Sequence, residues 1–209
     1  MARGAAAIFL LVLLALSCRR RLGAVEARPA PAPAPSAAAA AFVRSWCAGT
    51  EYPAVCDATL GQYSAEVGAS PARLSWAALT VTLAGARDAR AAMKAMAAAG
   101  ARQLTPVAAE AARDCVGMLG DAVDLLRQSV DAMESLGKEE QGGGRDVRFQ
   151  VDSVRTWASA ALTNDDMCVE GFKGEAAATR EAVRGHVAGA AHLTANALGI
   201  VNAMAKQMP

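Results

Sequence analysis

Aromatic side chains make up only 4% of this 209-residue chain, and histidine occurs twice, at His186 and His192. The scarcity of aromatics argues against a β-sandwich, whose strands draw on Val, Ile, Tyr and Phe. Two distant imidazoles without a CxxC leave no zinc ligand set, and none of GxSxG, HExxH, a P-loop or a strand-borne GxGxxG occurs. On an alanine-rich helix, His186 and His192 read as surface or edge residues. The acid pairs Asp165-Asp166 and Glu139-Glu140 read as solvated carboxylates at turns or helix ends. The chain is therefore expected to be no enzyme and to need neither cofactor nor metal. With 21 basic and 20 acidic residues the net charge is +1, too close to neutral for an electrostatic nucleic-acid binder.

Long apolar runs are also missing. The one candidate, from about Ala5 to Cys18, spans roughly 14 residues, short of the ~20 that cross a bilayer. It follows Met1-Ala2-Arg3 and precedes Val25-Glu26-Ala27, whose small residues suit cleavage, so residues 1–27 read as a signal peptide. The Arg19-Arg20-Arg21 cluster is unusual there, and a short signal anchor is the other reading. Cleavage after Ala27 takes away Arg3, Arg19, Arg20, Arg21 and Glu26, leaving 17 basic and 19 acidic residues, about −2 overall. The expected product is secreted to the cell exterior, without stable membrane association.

Residues 28–40 form an Ala/Pro-rich spacer. Pro29 to Pro35 alternates Pro and Ala, which favours an extended polyproline-type segment. The remainder, 41–209, is rich in alanine, the strongest helix former. Short helical pieces flank the first cysteine pair and predict a helical hairpin over about 41–68. Four long helices follow over 70–206. Ser70-Pro71 and Thr105-Pro106 open two of them, the hydroxyl accepting from free N–H groups while proline sits at the first helical position. The third begins near Asp146 and the fourth covers roughly Ala176 to Lys206.

Apolar spacing predicts a bundle. On the second long helix Ala108, Ala111, Cys115, Met118, Ala122, Leu125, Ser129 and Met133 recur at three- and four-residue steps, widened by Leu104, Leu119, Leu126 and Leu136. Val147, Val154, Ala161 and Cys168 repeat by seven on the third, with Val151 and Ala158 between them. Val183, Val187, Ala190, Thr194, Ala197 and Val201 do the same on the fourth. Such stripes pack helices near 20° to one another. Cys18 leaves with the leader, so four cysteines face an oxidising compartment. Cys47 and Cys56 flank a turn containing Gly49, Thr50 and Pro53, which suits a local bridge. Cys115 and Cys168 then pair across the bundle, each on the buried stripe of its own helix. Closing about 54 residues should restrict the unfolded chain by roughly 4 kcal/mol, against about 2.5–3 for the short loop.

Four segments carry a resemblance. Phe42-Val43-Arg44-Ser45-Trp46-Cys47 through Tyr52-Pro53-Ala54-Val55-Cys56 is the first, and Ala112-Arg113-Asp114-Cys115 through Asp121-Ala122-Val123-Asp124-Leu125-Leu126 the second. Arg155-Thr156-Trp157-Ala158-Ser159-Ala160-Ala161-Leu162-Thr163-Asn164 through Cys168 and Gly171-Phe172 is the third, and Thr194-Ala195-Asn196-Ala197-Leu198 with Ile200-Val201-Asn202 the fourth. In this order they resemble the plant invertase and pectin methylesterase inhibitor family. The resemblance implies an all-α fold, a hairpin followed by an up-down-up-down bundle, with cysteines paired first-to-second and third-to-fourth. It also implies one-to-one binding over the cleft of a target enzyme in the apoplast. The loop from Gly137 to Gly144 lacks the Pro-Lys-Phe stretch of the invertase inhibitors, and the Thr-Trp-Ala-Ser-Ala-Ala-Leu-Thr-Asn run resembles the pectin methylesterase branch. That enzyme is the expected partner, with acid invertase the alternative and a structural cell-wall protein the alternative of another class. By the same resemblance Asp121, Asp124 and Glu170 face the target. Met167 stands where the family usually has Thr, and Gly117 where it often has Glu. Protonating the three carboxylates at cell-wall pH is expected to weaken binding. The Ala-Pro run resembles the hydroxyproline-linked modules of arabinogalactan proteins.

Overall fold

The computed structural model describes residues 36–100, 104–136 and 144–208, all within one compact unit, Ala34–Pro209. The leader at 1–27, the spacer as far as residue 35 and the Glu139-Glu140 pair lie outside the described residues. The described residues are helical, without strands. Among them no helix is long and apolar enough to cross a membrane.

The first helix of the hairpin takes in part of the stretch read as spacer. Ser36 Oγ accepts from the Ala39 amide at 3.1 Å and starts α1, Ala37–Cys47, so residues 37–40 belong to the helix. A tight turn leads into α2, Pro53–Leu60, with proline at its first position, where no intrahelical N–H is needed. Beyond these two short helices the chain makes a 3-10 turn at Gly61–Tyr63 and a one-turn helix, α3, Ser64–Val67. Gly68, at φ +60, turns the chain into the bundle, a conformation that glycine adopts without a Cβ penalty. The Cys47–Cys56 disulfide ties the end of α1 to α2.

Four long helices follow: α4, Pro71–Gly100; α5, Pro106–Leu136; α6, Gly144–Glu170; and α7, Ala177–Ala205. Ser70 Oγ accepts from the Arg73 amide at 3.3 Å and Thr105 Oγ1 from the Ala108 amide at 3.0 Å, which are the two caps the sequence signals. Each helix packs against its neighbours in the chain, and α4 closes the ring on α7. This is an up-down-up-down bundle. The hairpin packs on α4 and α7.

The interior divides into two apolar clusters, each holding one disulfide. Cys47 and Cys56 lie with Val43, Leu74, Leu79, Leu126, Val154 and Ile200. Cys115 and Cys168 lie with Met93, Leu119, Phe172, Val183 and Val187. Phe172, fully buried just past the end of α6, contributes about 2–3 kcal/mol by leaving water. On α7 every predicted stripe residue is buried. On α5 the stripe is rotated: Ala112, Leu119 and Leu126 are fully buried, whereas Ala111, Met118 and Leu125 are only half-buried. The helix presents a face of more than 100° to two neighbours at once, so one heptad row points inward and the next toward the α6 groove.

A polar layer sits between the clusters. Thr82 Oγ1 is 2.8 Å from the Ala78 carbonyl on its own helix and 3.1 Å from the Leu193 carbonyl on α7. Asp165 corrects the sequence reading. It is 0% exposed, inside α6 rather than at a solvated end. Its position continues the 147-151-154-158-161-168 stripe, and the period places it inward whatever its polarity.

Candidate target-binding face

Helices α5 and α6 run antiparallel and are joined at Cys115–Cys168, whose Cα atoms are 4.5 Å apart. At this bridge they enclose an open groove of about 220 Å³ lined by Val107, Glu110, Asp114 and Met118 from α5, Met167 from α6 and Gly171 just past its end. Val107 and Met167 are 66% and 52% exposed, two of the three large apolar side chains left in solvent among the described residues. Glu110 and Asp114 are one turn apart on the same face. Neither forms an ion pair among the described residues. The groove is thus an apolar strip with an uncompensated acidic border, a combination suited to a partner segment carrying an apolar side chain beside a cation.

The residues singled out from the sequence do not all gather there. Met167 lines the groove. Asp121 is exposed, two turns on from Asp114 and on the same helix face, so it prolongs the acidic border about 9 Å beyond Cys115. Asp124 is turned away and pairs with Arg127 at 3.1 Å. Glu170 is exposed, does not line the groove and faces Lys173 at 3.6 Å. Both are exposed pairs of the kind that contribute little to stability, but each offers its carboxylate a cation already. Val107, Glu110, Asp114 and Met118 were missed. The repeat of Glu110, Asp114 and Asp121 at steps of four and seven was the available signal, since it places three acids on one helical face.

A second feature lies where the hairpin docks on α7. The Asn196 amide, 3% exposed, accepts from the Tyr52 N–H and donates to the Tyr52 carbonyl, both at 2.9 Å. The Tyr52 ring stacks on His192 with centroids 3.9 Å apart. His192 is therefore a packing residue at the hairpin junction, whereas His186 is exposed. Among the described residues no group of three or more His, Cys, Asp or Glu could hold a metal ion.

Residues 41–200, the hairpin and most of the bundle, match the family model described as plant invertase/pectin methylesterase inhibitor. The chain belongs to this family. It is 35% identical over 166 residues to the 21 kDa protein of Daucus carota, covering 77% of this chain and 82% of that one. It is 32% identical over 169 residues to Pectinesterase inhibitor 11 of Arabidopsis thaliana, covering 79% and 81%. Identity to Pectinesterase inhibitor 10 of the same plant is 34% over 163 residues, and there the match spans 50% of the relative's length. A crystal structure of a mutant form of a pectin methylesterase inhibitor from Arabidopsis superposes with a TM-score of 0.59 at 21% identity, over 78% of this chain and 94% of that one. This last likeness is one of fold. Met167 and Gly117 are the positions where the resemblance led to an expectation of Thr and Glu. Both are exposed, Met167 in the groove and Gly117 on α5, where an added Cβ would meet nothing within 4 Å.

Proposed function

We propose that the chain is a secreted protein inhibitor of a pectin methylesterase that binds one-to-one and covers the enzyme's substrate cleft with the α5–α6 groove. The observation that carries this reading is the match across most of their length to several relatives named as pectinesterase inhibitors, such as Pectinesterase inhibitor 3 at 33% identity over 77% of each chain. The groove supports it physically. Val107 and Met167 supply apolar area, and Glu110, Asp114 and Asp121 supply unpaired negative charge. Asp124 and Glu170 act at the rim, where exchange of an internal cation for one on the enzyme changes association rate more than affinity. Export through the leader at 1–27 places the protein in the apoplast, in the compartment that its disulfides require.

The test is gel filtration and activity assay of the recombinant mature protein with a pectin methylesterase and, separately, an acid invertase. Co-elution with the first and loss of its activity supports the proposal. Co-elution with invertase alone redirects the target, and no complex with either leaves a structural cell-wall role. Inhibition titrated across pH 4.5–7.5 for Asp121→Asn and Asp124→Asn then asks whether these carboxylates weaken binding when protonated. Profiles that match the wild type in both variants would count against their role.

A further inference from the structure

Asp165 is the one fully buried acidic side chain among the described residues, and its surroundings set its protonation. Its Oδ2 lies 2.9 Å from Thr194 Oγ1 on α7, and that hydroxyl is also 2.9 Å from the Ala190 carbonyl. The Thr194 hydroxyl has one proton and two acceptors. A proton on Asp165 resolves the shortage: the acid donates to Thr194 Oγ1, and the hydroxyl donates to the Ala190 carbonyl. Asp165 Oδ1 is buried with no hydrogen-bond partner, which is tolerable for a neutral carbonyl oxygen and costly for half of a carboxylate. No cation pairs with it among the described residues. On the flanking stretches of the packed helices, the charged or titratable groups include Asp166 on α6, Asp121 and Asp124 on α5, Arg87, Asp88 and Arg90 on α4, His192 on α7 and Tyr52 of the hairpin, which feels the charge of Asp166. Asp166, Asp124, Arg87 and Asp88 are exposed. Asp121 is exposed, the Arg90 guanidinium lies against Gly120 of α5, and the His192 ring is stacked on Tyr52. Burial disfavours the charged form most, and Asp166 repels it further; together they outweigh the Thr194 hydrogen bond and raise Asp165 from its ordinary 3.8 to about 7.

We propose that Asp165 is a proton-operated latch between α6 and α7: protonated, it ties the two helices through Thr194; ionised, it loosens that contact and the binding groove next to it. Met167 and Cys168 follow on the next turn of α6, so a carboxylate drawn toward water displaces the residues that line the groove. The latch is closed in acid and opens toward neutral pH. This is opposite in sign to protonation of the surface carboxylates Asp121, Asp124 and Glu170. The loss of inhibition expected on opening rests on the proposed function, whereas the latch itself does not.

The decisive measurement is thermal melting of the full mature chain from pH 4 to 7.5, wild type against Asp165→Asn, which keeps the shape of the protonated acid. The wild type should lose at least about 5 °C more than the variant over this range. Parallel curves overturn the latch. Should the variant fail to fold, the carboxyl ¹³C titration of wild-type Asp165 decides: a midpoint above about 5.5 supports the latch and one below it overturns it. In a separate arm, the IC50 against pectin methylesterase should rise with pH at least threefold more for wild type than for Asp165→Asn. If neither protein inhibits at any pH, the proposed function fails while the melting result still decides the latch.

Discussion

Replacing Cys115 and Cys168 together by alanine should destabilise the protein more than replacing Cys47 and Cys56 together. The long bridge closes 53 residues and the short one nine. Chain entropy then assigns about 4 kcal/mol to the first and about 2.5–3 kcal/mol to the second. All four cysteines are buried to 1–2% exposure, so the packing lost on conversion to alanine is similar, and the difference of about 1.5 kcal/mol belongs to loop length. For a chain of this size about 2–4 °C accompany each kcal/mol, so melting temperature should fall by roughly 8–16 °C for the long bridge and 5–12 °C for the short one. The assay is circular dichroism melting of wild type and both paired variants at pH 5.5, with free thiols counted to establish that the remaining bridge is intact. A short-bridge variant that loses as much as the long-bridge variant, or more, would refute the entropic reasoning. It would place the greater value on docking the hairpin.

Asn196→Ala removes both polar contacts to the Tyr52 backbone and should cost about 1–3 kcal/mol, read as faster hydrogen exchange at residues 50–56 with the α5 and α6 cores unchanged. Gly117→Ala, whose added methyl meets nothing, should stabilise α5 by about 0.5–1 kcal/mol in urea titration. Gly120→Ala, one turn on, places a Cβ 3.0 Å from the Arg90 guanidinium and should lose that gain or reverse it. The pH dependence of stability follows from Asp165. Between its unfolded value near 3.8 and about 7 in the folded chain, the unfolded state alone has released the proton, so the stability that protonated Asp165 contributes is fully present below about pH 4 and declines until about pH 7. At about 1.36 kcal/mol per pH unit the decline is at most about 4 kcal/mol, and urea midpoints for Asp165→Asn that follow the wild type would contradict it.

Much of the architecture was legible because it rests on local rules. Ser70 and Thr105 cap the helices they were read to cap, and Val183 to Val201 are buried at their predicted period, since helix geometry turns spacing into facing. The cysteine pairing was legible too, because Cys115 and Cys168 each fall on an inward row. The candidate site was only partly so. Resemblance drew attention to Asp121, Asp124, Met167 and Glu170, but whether a carboxylate is unpaired depends on which side chain lies one turn away and how it is turned. Arg127 and Lys173 engage two of the three acids, while Glu110 and Asp114 carry none of that compensation.

By itself, then, the sequence determined the helices, their caps, the two bridges and the family, because propensity, period and spacing are properties of the chain. Only the tertiary structure decided what Asp165 is. Its period pointed inward and its chemistry pointed outward. Packing of α6 against α7 settled the contest by surrounding the carboxyl with helix and leaving it Thr194 as its one hydrogen-bond partner among the described residues. A residue's pattern can predict burial, but the proton it must hold once buried depends on partners that only folding brings together.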